Sequence, residues 1–436
     1  MRIPWTGPLK HMTCAITAAL ALATASGTAG AATGEVREAY VSMPGADAPG
    51  PAADDRVHVL KVGSADARQV VVLVPGQFGA AGGFAPLARE LAARLPDTQV
   101  WAVDRREQNL ADLRGFRRSP DRAADYYLGE HYRSQAPQTV PYVGQWGLGV
   151  ELADLRRVVM AAADGGRRRV ILGGHSWGAT TALAYAGWDF DGHPGYRDLS
   201  GLVLIDGGVH DAFAGEGYAY RLTTDQADAR LAKIAGGEVF DESLTVGRTE
   251  TFAILQQLAG KYAAARPDEP SALAGHLPAG LRPPAQVSNE GLLKWLFVTH
   301  PLVPDISVNP AYTSTAALAR ALAGPVPSVF EWYWPNRLSL DLEAADPFDD
   351  TQVARRLGLR LSHTHEIDVP LYSFQSGLTH GTANAAATWV VAQSRITDAT
   401  YAEDNAMTHV DPLLAAPAKN TFLNTLTPFL ARLAGQ

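Results

Sequence analysis

The chain has 436 residues, of which 47% are hydrophobic and 19% charged, and its 45 acidic residues outnumber its 37 basic ones. This composition is typical of one large folded domain, or of a core with a sizeable insertion, and it excludes a mainly disordered chain. The acidic balance argues against nucleic acid as a partner.

The first 31 residues have the layout of a secretory signal. Arg2 and Lys10 precede a modest apolar stretch at 12–25, and small residues follow up to Ala31. The pattern predicts cleavage after Ala31 and an exported, soluble protein, because no later run approaches the ~20 apolar residues of a membrane span. Cleavage would remove the single cysteine, Cys14, and leave 35 basic against 45 acidic residues, a net charge of −10. We therefore expect no disulfide, no cysteine-ligated metal and no cysteine nucleophile in the mature chain.

Extended segments at 35–43 and 56–62 predict an antiparallel hairpin before the main sheet. Beyond them, continuous apolar runs alternate with helical periodicity, which is typical of parallel strands covered by helices on both faces. The runs predicted as strands are 70–74, 100–103, 170–172, 201–205, 370–374 and 396–401. The stretches predicted as helices beside them are 84–95, 148–163, 179–186 and 421–433.

The alternation is interrupted between residues 210 and 365. Helix-rich insertions of this length are more typical of a cap than of a loop, and they are tolerated where their ends lie close together. We therefore predict a helical cap at 210–365 that divides the core into 32–209 and 366–436. The stretches predicted as cap helices are 224–235, 250–264, 289–299 and 316–323. The cap is rich in aromatic side chains, which we expect mainly to hold it together: Trp295, Phe297, Phe330, Trp332, Tyr333 and Trp334.

The most informative motif is Gly-His-Ser-Trp-Gly at 174–178, which lies between a predicted strand and a predicted helix. A sharp strand–turn–helix forces its serine toward positive φ, and the flanking glycines let strand and helix pass each other. Free N–H groups and the helix dipole favour a negative charge that develops there. We predict Ser176 as a nucleophile, against the alternative of a serine in an ordinary turn.

A serine nucleophile needs hydrogen-bond donors for the oxyanion and a base. The turn Pro-Gly-Gln-Phe-Gly at 75–79 follows the first parallel strand. Its backbone N–H at Gln77, or at Phe78 one residue on, is predicted to form an oxyanion hole with that of Trp177. The alternative is a simple glycine-rich loop.

The predicted base is His409, which follows the last strand and precedes the terminal helix. A histidine on this loop can reach over the nucleophile turn. His380 is the competing candidate, while His363 and His365 are expected at the surface where the chain leaves the cap. The latter pair is too small a constellation for a metal site.

These motifs resemble the α/β-hydrolase superfamily, in its secreted bacterial esterase/lipase-like branch, over roughly residues 70–209 and 366–436. The resemblance implies an eight-stranded, mostly parallel sheet, a cap after the sixth strand, and the order nucleophile, acid, histidine.

The chain departs from the resembled pattern in its acid. A carboxylate is expected after the strand at 370–374, yet residues 371–397 contain no Asp or Glu. Another known place is the end of the strand that follows the nucleophile helix, where Asp206 stands. We predict Asp206 as the acid, against the alternative that it only caps its strand. Asp398 and Asp404 are the next candidates.

These predictions point to hydrolysis of carboxylic esters, with a small-molecule or lipid-like substrate under the cap. A serine at the apex excludes the relatives that use aspartate there. An exported peptidase or amidase is the alternative, for which Glu331 and Asp341 are candidate acidic cap residues. A non-catalytic binding protein would be expected to have lost Ser176 or His409. The sequence has no phosphate-cradling or metal motif, so we expect no cofactor.

Overall fold

The computed structural model describes residues 37–245 and 247–435, so the predicted signal segment lies outside the described residues. The strands are β1 (Glu38–Pro44), β2 (Arg56–Val62), β3 (Gln69–Val74), β4 (Thr98–Asp104), β5 (Arg169–His175), β6 (Gly201–Ile205), β7 (Leu371–Gln375) and β8 (Ala399–Glu403). The α-helices of the core and of the segment between β4 and β5 are α1 (Ala85–Arg94), α2 (Pro120–Leu128), α3 (Leu148–Ala163) and α4 (Trp177–Gly187). Those between β6 and β7 are α5 (Thr224–Ala235), α6 (Thr249–Ala265), α7 (Asn289–Lys294), α8 (Thr315–Leu322), α9 (Asn336–Ala345) and α10 (Gln352–Leu357). The remaining helices are α11 (Thr382–Gln393), α12 (Asp411–Leu414) and α13 (Thr421–Ala434).

All eight strands form one sheet in the order β1-β2-β4-β3-β5-β6-β7-β8. Strand β2 runs antiparallel to both of its neighbours, while β4, β3, β5, β6, β7 and β8 pair in parallel. The predicted eight-stranded, mostly parallel sheet and its antiparallel hairpin are therefore confirmed. Because the parallel strands share a direction, their carboxyl ends lie along one edge, which is where open α/β sheets bind ligands.

Helices cover both faces of the sheet, as the apolar strands require. Every residue of β3 is buried. On one face, α3 and α4 contribute buried residues to a core that also contains side chains of β3 and β5. On the other face, α1 and α13 do the same. Within the described ranges, no helix is long and apolar enough to cross a membrane.

The helices of the segment predicted as a cap belong to two different hydrophobic clusters. Its helices α6, α7 and α8 form a separate hydrophobic cluster, which α2 joins from the segment between β4 and β5. Helix α9, by contrast, packs its leucines into the same core as α3 and α4. Neither α2 nor α9 is predicted from the sequence. Part of 210–365 thus packs on the sheet as well as beside the site, and the domain boundaries stay predictions.

Candidate active site

Ser176 lies at the apex of the turn between β5 and α4, with φ 56° and ψ −128°. The pattern predicts this positive φ. A Cβ at Gly174 would collide with the backbone of Gly178, and a Cβ at Gly178 would collide with the backbone of Val74. The backbone N–H of Ser176 donates to Ile205 O at 2.9 Å, which ties the turn to β6. The two glycines are therefore needed for the close approach that holds the serine above the sheet.

Asp206 and His409 form a buried pair beside this turn. His409 Nδ1 lies 2.6 Å from Asp206 Oδ2, and the side chains are 5% and 0% exposed. Asp206 follows β6 directly, and His409 follows β8 by six residues. Ser176 and His409 line the same two cavities. The structure thus brings together the three residues predicted from sequence, while their catalytic roles stay predictions.

Asp206 and His409 each shift the pKa of the other in favour of the charged form. Burial disfavours the charged form of Asp206, but the hydrogen bond and charge of His409 hold the Asp206 pKa below its ordinary value. Burial likewise opposes charge on His409, yet the hydrogen bond and charge of Asp206 raise the His409 pKa above its usual range, with a contribution from Glu216. No hydrogen bond joins Ser176 Oγ to the His409 ring among these described residues. Such bonds in resting hydrolases are often long and tighten only when substrate binds.

Ser376 is a partner of Asp206 that sequence reasoning missed. Its backbone N–H donates to Asp206 Oδ1 at 2.8 Å, and its hydroxyl donates to Asp206 Oδ2. Ser376 is the first residue after β7, the place where the resemblance leads one to expect a carboxylate. Because both oxygens of Asp206 are engaged, the carboxylate is fixed in orientation toward His409. The position of Ser376 directly after β7 marks it as a residue at the edge of the site, but its contact with Asp206 has no signal in the local sequence.

His175 packs against His409 and contacts its backbone. Its Nε2 lies 2.8 Å from the backbone oxygen of His409, and the two rings are 4.2 Å apart. Burial and the nearby charge of His409 lower the pKa of His175 to about 3, so this imidazole is neutral at physiological pH. A neutral His175 that carries its proton on Nε2 donates to that oxygen. It therefore anchors the loop that presents His409.

The turn predicted as the source of oxyanion donors lies against the nucleophile. A Cβ at Gly76 would lie 2.6 Å from Ser176 Cβ, so only glycine permits this approach. Gln77 and Ser176 line both cavities, whereas Phe78 lines one of them. Trp177, the first residue of α4, lines the cavity that Phe78 does not reach. Gln77 and Trp177 thus line one cavity together with Ser176, and their role as donors stays a prediction.

The alternative acids do not reach His409. Asp398 pairs with Arg432 at the surface. Asp404 accepts hydrogen bonds from Tyr312 at 3.0 Å and from Thr421 at 2.6 Å. Both are occupied in contacts that stabilise the region around β8, which leaves Asp206 as the carboxylate bound to the histidine.

The alternative histidines also lie apart from Ser176. His380 is exposed, with φ 48°, and lines neither cavity. His363 lies 3.4 Å from Glu366, and His365 Nδ1 lies 2.8 Å from the backbone oxygen of Gln393. His365 is exposed, as expected, whereas the His363 side chain is only 20% exposed, so the expected surface position is correct for His365 alone.

The acidic cap residues proposed from sequence do not face the cavities. Glu331 pairs with the buried Arg105 at 2.9 Å. Asp341 pairs with Arg337 at 2.8 Å and accepts the backbone N–H of Leu148 at 2.9 Å. Both carboxylates pair with arginines and line neither cavity, so these two candidates of the amidase alternative do not lie at the site.

Two cavities of opposite character meet at Ser176 and His409. We call the first the apolar chamber; its walls include Phe84, Phe297, Leu318, Leu322, Phe330 and Leu413. We call the second the acidic chamber; its walls include Trp177, Phe213, Tyr220, Glu216, Asp305 and Glu343. Ile306 lines both. A substrate whose reacting carbon sits at Ser176 can therefore extend in two chemically different directions.

Among solved structures, the chain is similar to a protein from Sulfolobus solfataricus described as a candidate lipase, with a TM-score of 0.55 and 18% identity, covering 91% of this chain and 94% of that one. It is also similar to a carboxyl esterase from Bacillus coagulans, with a TM-score of 0.47 and 12% identity, covering 92% of this chain and 99% of that one. No protein-family model and no curated protein matches the chain. At these identities the likeness concerns the fold alone. The chain has the α/β-hydrolase fold, so the fold that the resemblance implies is confirmed.

The described part of the chain contains no group of three or more histidine, cysteine, aspartate or glutamate side chains arranged to hold a metal ion. The expectation that the protein works without a cofactor stays a prediction.

Proposed function

We propose that this protein is a serine hydrolase that cleaves carboxylic esters. The observation that carries the proposal is the buried Asp206–His409 pair, joined at 2.6 Å, on the loops that flank the strained turn of Ser176. A serine on a tight strand–helix turn, with an oriented histidine beside it, is the arrangement that acyl transfer requires.

In the proposed reaction, His409 Nε2 takes the Ser176 hydroxyl proton while Oγ attacks the ester carbonyl carbon. The backbone N–H groups of Gln77 and Trp177 stabilise the oxyanion that forms. The intermediate expels the alcohol, which receives the proton from His409, and leaves an acyl-enzyme. Water, deprotonated by His409, then attacks the acyl carbon, and the bond to Oγ breaks as His409 returns the proton to Ser176 and the acid leaves. Asp206 keeps the proton of the neutral imidazole on Nδ1 and stabilises the imidazolium.

The apolar chamber supports an ester with an apolar acyl or alcohol group. Its wall is formed by aromatic and leucine side chains from both the core and the cap, such as Phe84 and Phe297. Burying such a group removes apolar surface from water, at about 25 cal/mol per Å². A hydrocarbon chain is the substrate portion that gains most from this wall.

A fluorophosphonate probe tests the nucleophile, because it reacts with an activated serine and leaves a surface serine unlabelled. We expect the intact protein to be labelled and Ser176→Ala to remain unlabelled. A panel of 4-nitrophenyl esters graded in acyl length then tests the substrate class. Absence of labelling in the intact protein would favour the alternative of a binding protein on this fold.

The acidic chamber favours a second candidate, an amidase or peptidase that binds a substrate amine. Burial raises the pKa of Glu216 to about 7, and the charge of Asp305 adds to this effect. Glu216 Oε1 is buried without a hydrogen-bond partner among the described residues. An aminoacyl arylamide panel beside the ester panel separates the two candidates. For an amidase, Glu216→Gln should lower kcat/KM for the arylamide far more than for a neutral ester.

We further propose that the protein is exported, on the strength of the basic, apolar and small-residue segments at 1–31. The mass of the protein recovered from its native host tests this. An N-terminus at Ala32 is expected, and retention of residues 1–31 would contradict it.

A further inference from the structure

Arg105 is a buried cation directly behind the predicted oxyanion turn. It follows β4 and is 3% exposed. Its Nε donates to Glu151 Oε1 at 3.0 Å and one terminal nitrogen donates to Glu331 Oε2 at 2.9 Å. The other terminal nitrogen donates to the backbone oxygen of Pro75. One guanidinium therefore joins the core helix α3, the cap segment and the turn.

The turn is held through two of its carbonyl oxygens. Arg105 binds Pro75 O, and the backbone N–H of Glu331 donates to Phe78 O at 3.2 Å. Gln77, the predicted donor, lies between these two anchors. The Gln77 N–H shares its peptide unit with Gly76 O, which accepts the Gly79 N–H at 3.2 Å. Because carbonyl and N–H of one peptide unit point in opposite directions, Pro75 O orients the Gly76 N–H and Phe78 O orients the Gly79 N–H, and the bond from Gly79 to Gly76 O orients the Gln77 N–H between them.

The carboxylates around Arg105 are arranged so that the buried charge is compensated. Burial raises the pKa of Glu107 well above its ordinary value, and the charge of Glu331 adds to this. Glu107 is therefore the carboxyl of this group that carries a proton, while Glu151 Oε1 and Glu331 Oε2 accept from Arg105. Burying an arginine is unfavourable unless it is paired and hydrogen-bonded, so a site with two ion pairs and a backbone carbonyl is a specific arrangement.

We propose that Arg105 is a positioning residue of the oxyanion hole, which sets the orientation of the Gln77 N–H and couples it to the seating of the cap through Glu331. The inference rests on the proposed hydrolase function. Arg105 lines neither cavity and reaches the site through the turn and through Glu331. Its effect should therefore fall on stabilisation of the transition state and leave substrate binding in the ground state nearly unchanged.

Arg106 provides a matched control. It is the adjacent residue, 1% exposed, and it pairs with Asp154 at 2.7 Å and Asp55 at 2.8 Å. Like Arg105 it also donates to a backbone oxygen, that of Ala46 at 2.7 Å, but Ala46 lies between β1 and β2. Replacing either arginine by lysine removes a similar set of buried guanidinium hydrogen bonds. Of the two arginines, only Arg105 binds the oxyanion turn.

The test compares Arg105→Lys with Arg106→Lys in the full chain, by kcat and KM on a 4-nitrophenyl ester and by inhibition with an alkyl boronic acid. The boronic acid forms a tetrahedral adduct on serine that places an oxygen in the oxyanion hole. We expect Arg105→Lys to lower kcat by about 10–100-fold, less than the 10²–10³-fold of a deleted donor. KM should change little, and the boronic acid Ki should rise in parallel with the loss. Arg106→Lys should keep kcat within about twofold even if both variants melt earlier.

Equal losses of kcat in the two variants, or an unchanged kcat in folded Arg105→Lys, would overturn the proposal. If Arg105→Lys does not fold, Glu331→Gln against Asp154→Asn gives the same comparison with smaller changes. A selective loss of kcat in Glu331→Gln supports the proposal, and equal behaviour of these two variants overturns it. A wild-type protein without ester or amide turnover would instead overturn the hydrolase function itself.

Discussion

The substitution Asp206→Asn probes the acid, the residue on which the family pattern and this chain disagree. Asparagine keeps the shape of aspartate but replaces one acceptor oxygen by an NH₂ group. In the structure Asp206 Oδ1 accepts the Ser376 N–H, whereas Oδ2 faces the Ser376 hydroxyl and His409 Nδ1. Leaving the buried Ser376 N–H without an acceptor would cost about 1–3 kcal/mol. The asparagine oxygen should therefore take the Oδ1 position.

This orientation points the NH₂ group at His409. An NH₂ donor there requires an unprotonated Nδ1, so the imidazole carries its proton on Nε2, the nitrogen that must accept the serine proton. The equivalent change in a serine protease lowers kcat by about 10⁴, which corresponds to about 5 kcal/mol. We expect a loss of this size in Asp206→Asn. The fold should survive, because shape and most hydrogen bonds are kept.

The assay is kcat on the best ester of the panel, together with urea unfolding of each variant. Asp404→Asn is the matched control, since its carboxylate binds Tyr312 and Thr421 rather than His409. It should turn over at close to the wild-type rate. Near-normal turnover in a folded Asp206→Asn would refute the reasoning and show that Asp206 is only a strand-end cap.

Two further predictions concern the base and the close approach of the oxyanion turn. Activity should rise with pH, because only neutral His409 accepts the serine proton. Asp206 raises the pKa of His409, so the midpoint of the kcat/KM profile should lie above the ordinary value of ~6.5. A profile that is flat between about pH 5 and about pH 9 would contradict a histidine base. Gly76→Ala should slow fluorophosphonate labelling and destabilise the fold by about 1–3 kcal/mol, because its Cβ would lie 2.6 Å from Ser176 Cβ. Gly280→Ala, where a Cβ meets nothing within 4 Å, should leave both properties unchanged.

The part of the site that local sequence determines could be predicted. The turn around Ser176 is encoded within five consecutive residues, and the strand and helix beside it have clear apolar patterns. His409 and Asp206 could be located because each follows a strand of a parallel sheet, whose carboxyl ends share one edge. These predictions needed only the order of the elements.

What could not be predicted depends on contacts between distant parts of the chain. Ser376 and Asp206 are 170 positions apart, and nothing in either local sequence shows that they meet. The Arg105 contact with Glu331 spans 226 positions. From sequence alone Glu331 is a candidate acidic residue of the amidase alternative, because its arginine partner lies so far away in the chain. The ion pair of Asp341 could have been predicted, because Arg337 lies four residues before it, which is the spacing of an ion pair on a helix.

The position of the acid leads to the sharpest test of how this site is built. Ser376 occupies the place after β7 where the resembled family is expected to hold a carboxylate, and its hydroxyl already contacts Asp206 Oδ2 beside His409. We therefore expect the double variant Asp206→Asn, Ser376→Asp to recover at least about tenfold of the roughly 10⁴-fold loss in kcat, through a new carboxylate near Nδ1.

The single variant Ser376→Asp is the control for this exchange. It places two buried carboxylates side by side, which raises the pKa of one of them by like-charge repulsion and should reduce stability without improving turnover. In the double variant the amide of residue 206 can donate to the new carboxylate, so the repulsion disappears. If the double variant were no faster than Asp206→Asn alone, a carboxylate after β7 would not replace the one that follows β6. The serine after β7 would then serve to hold Asp206 and would not mark an exchangeable position.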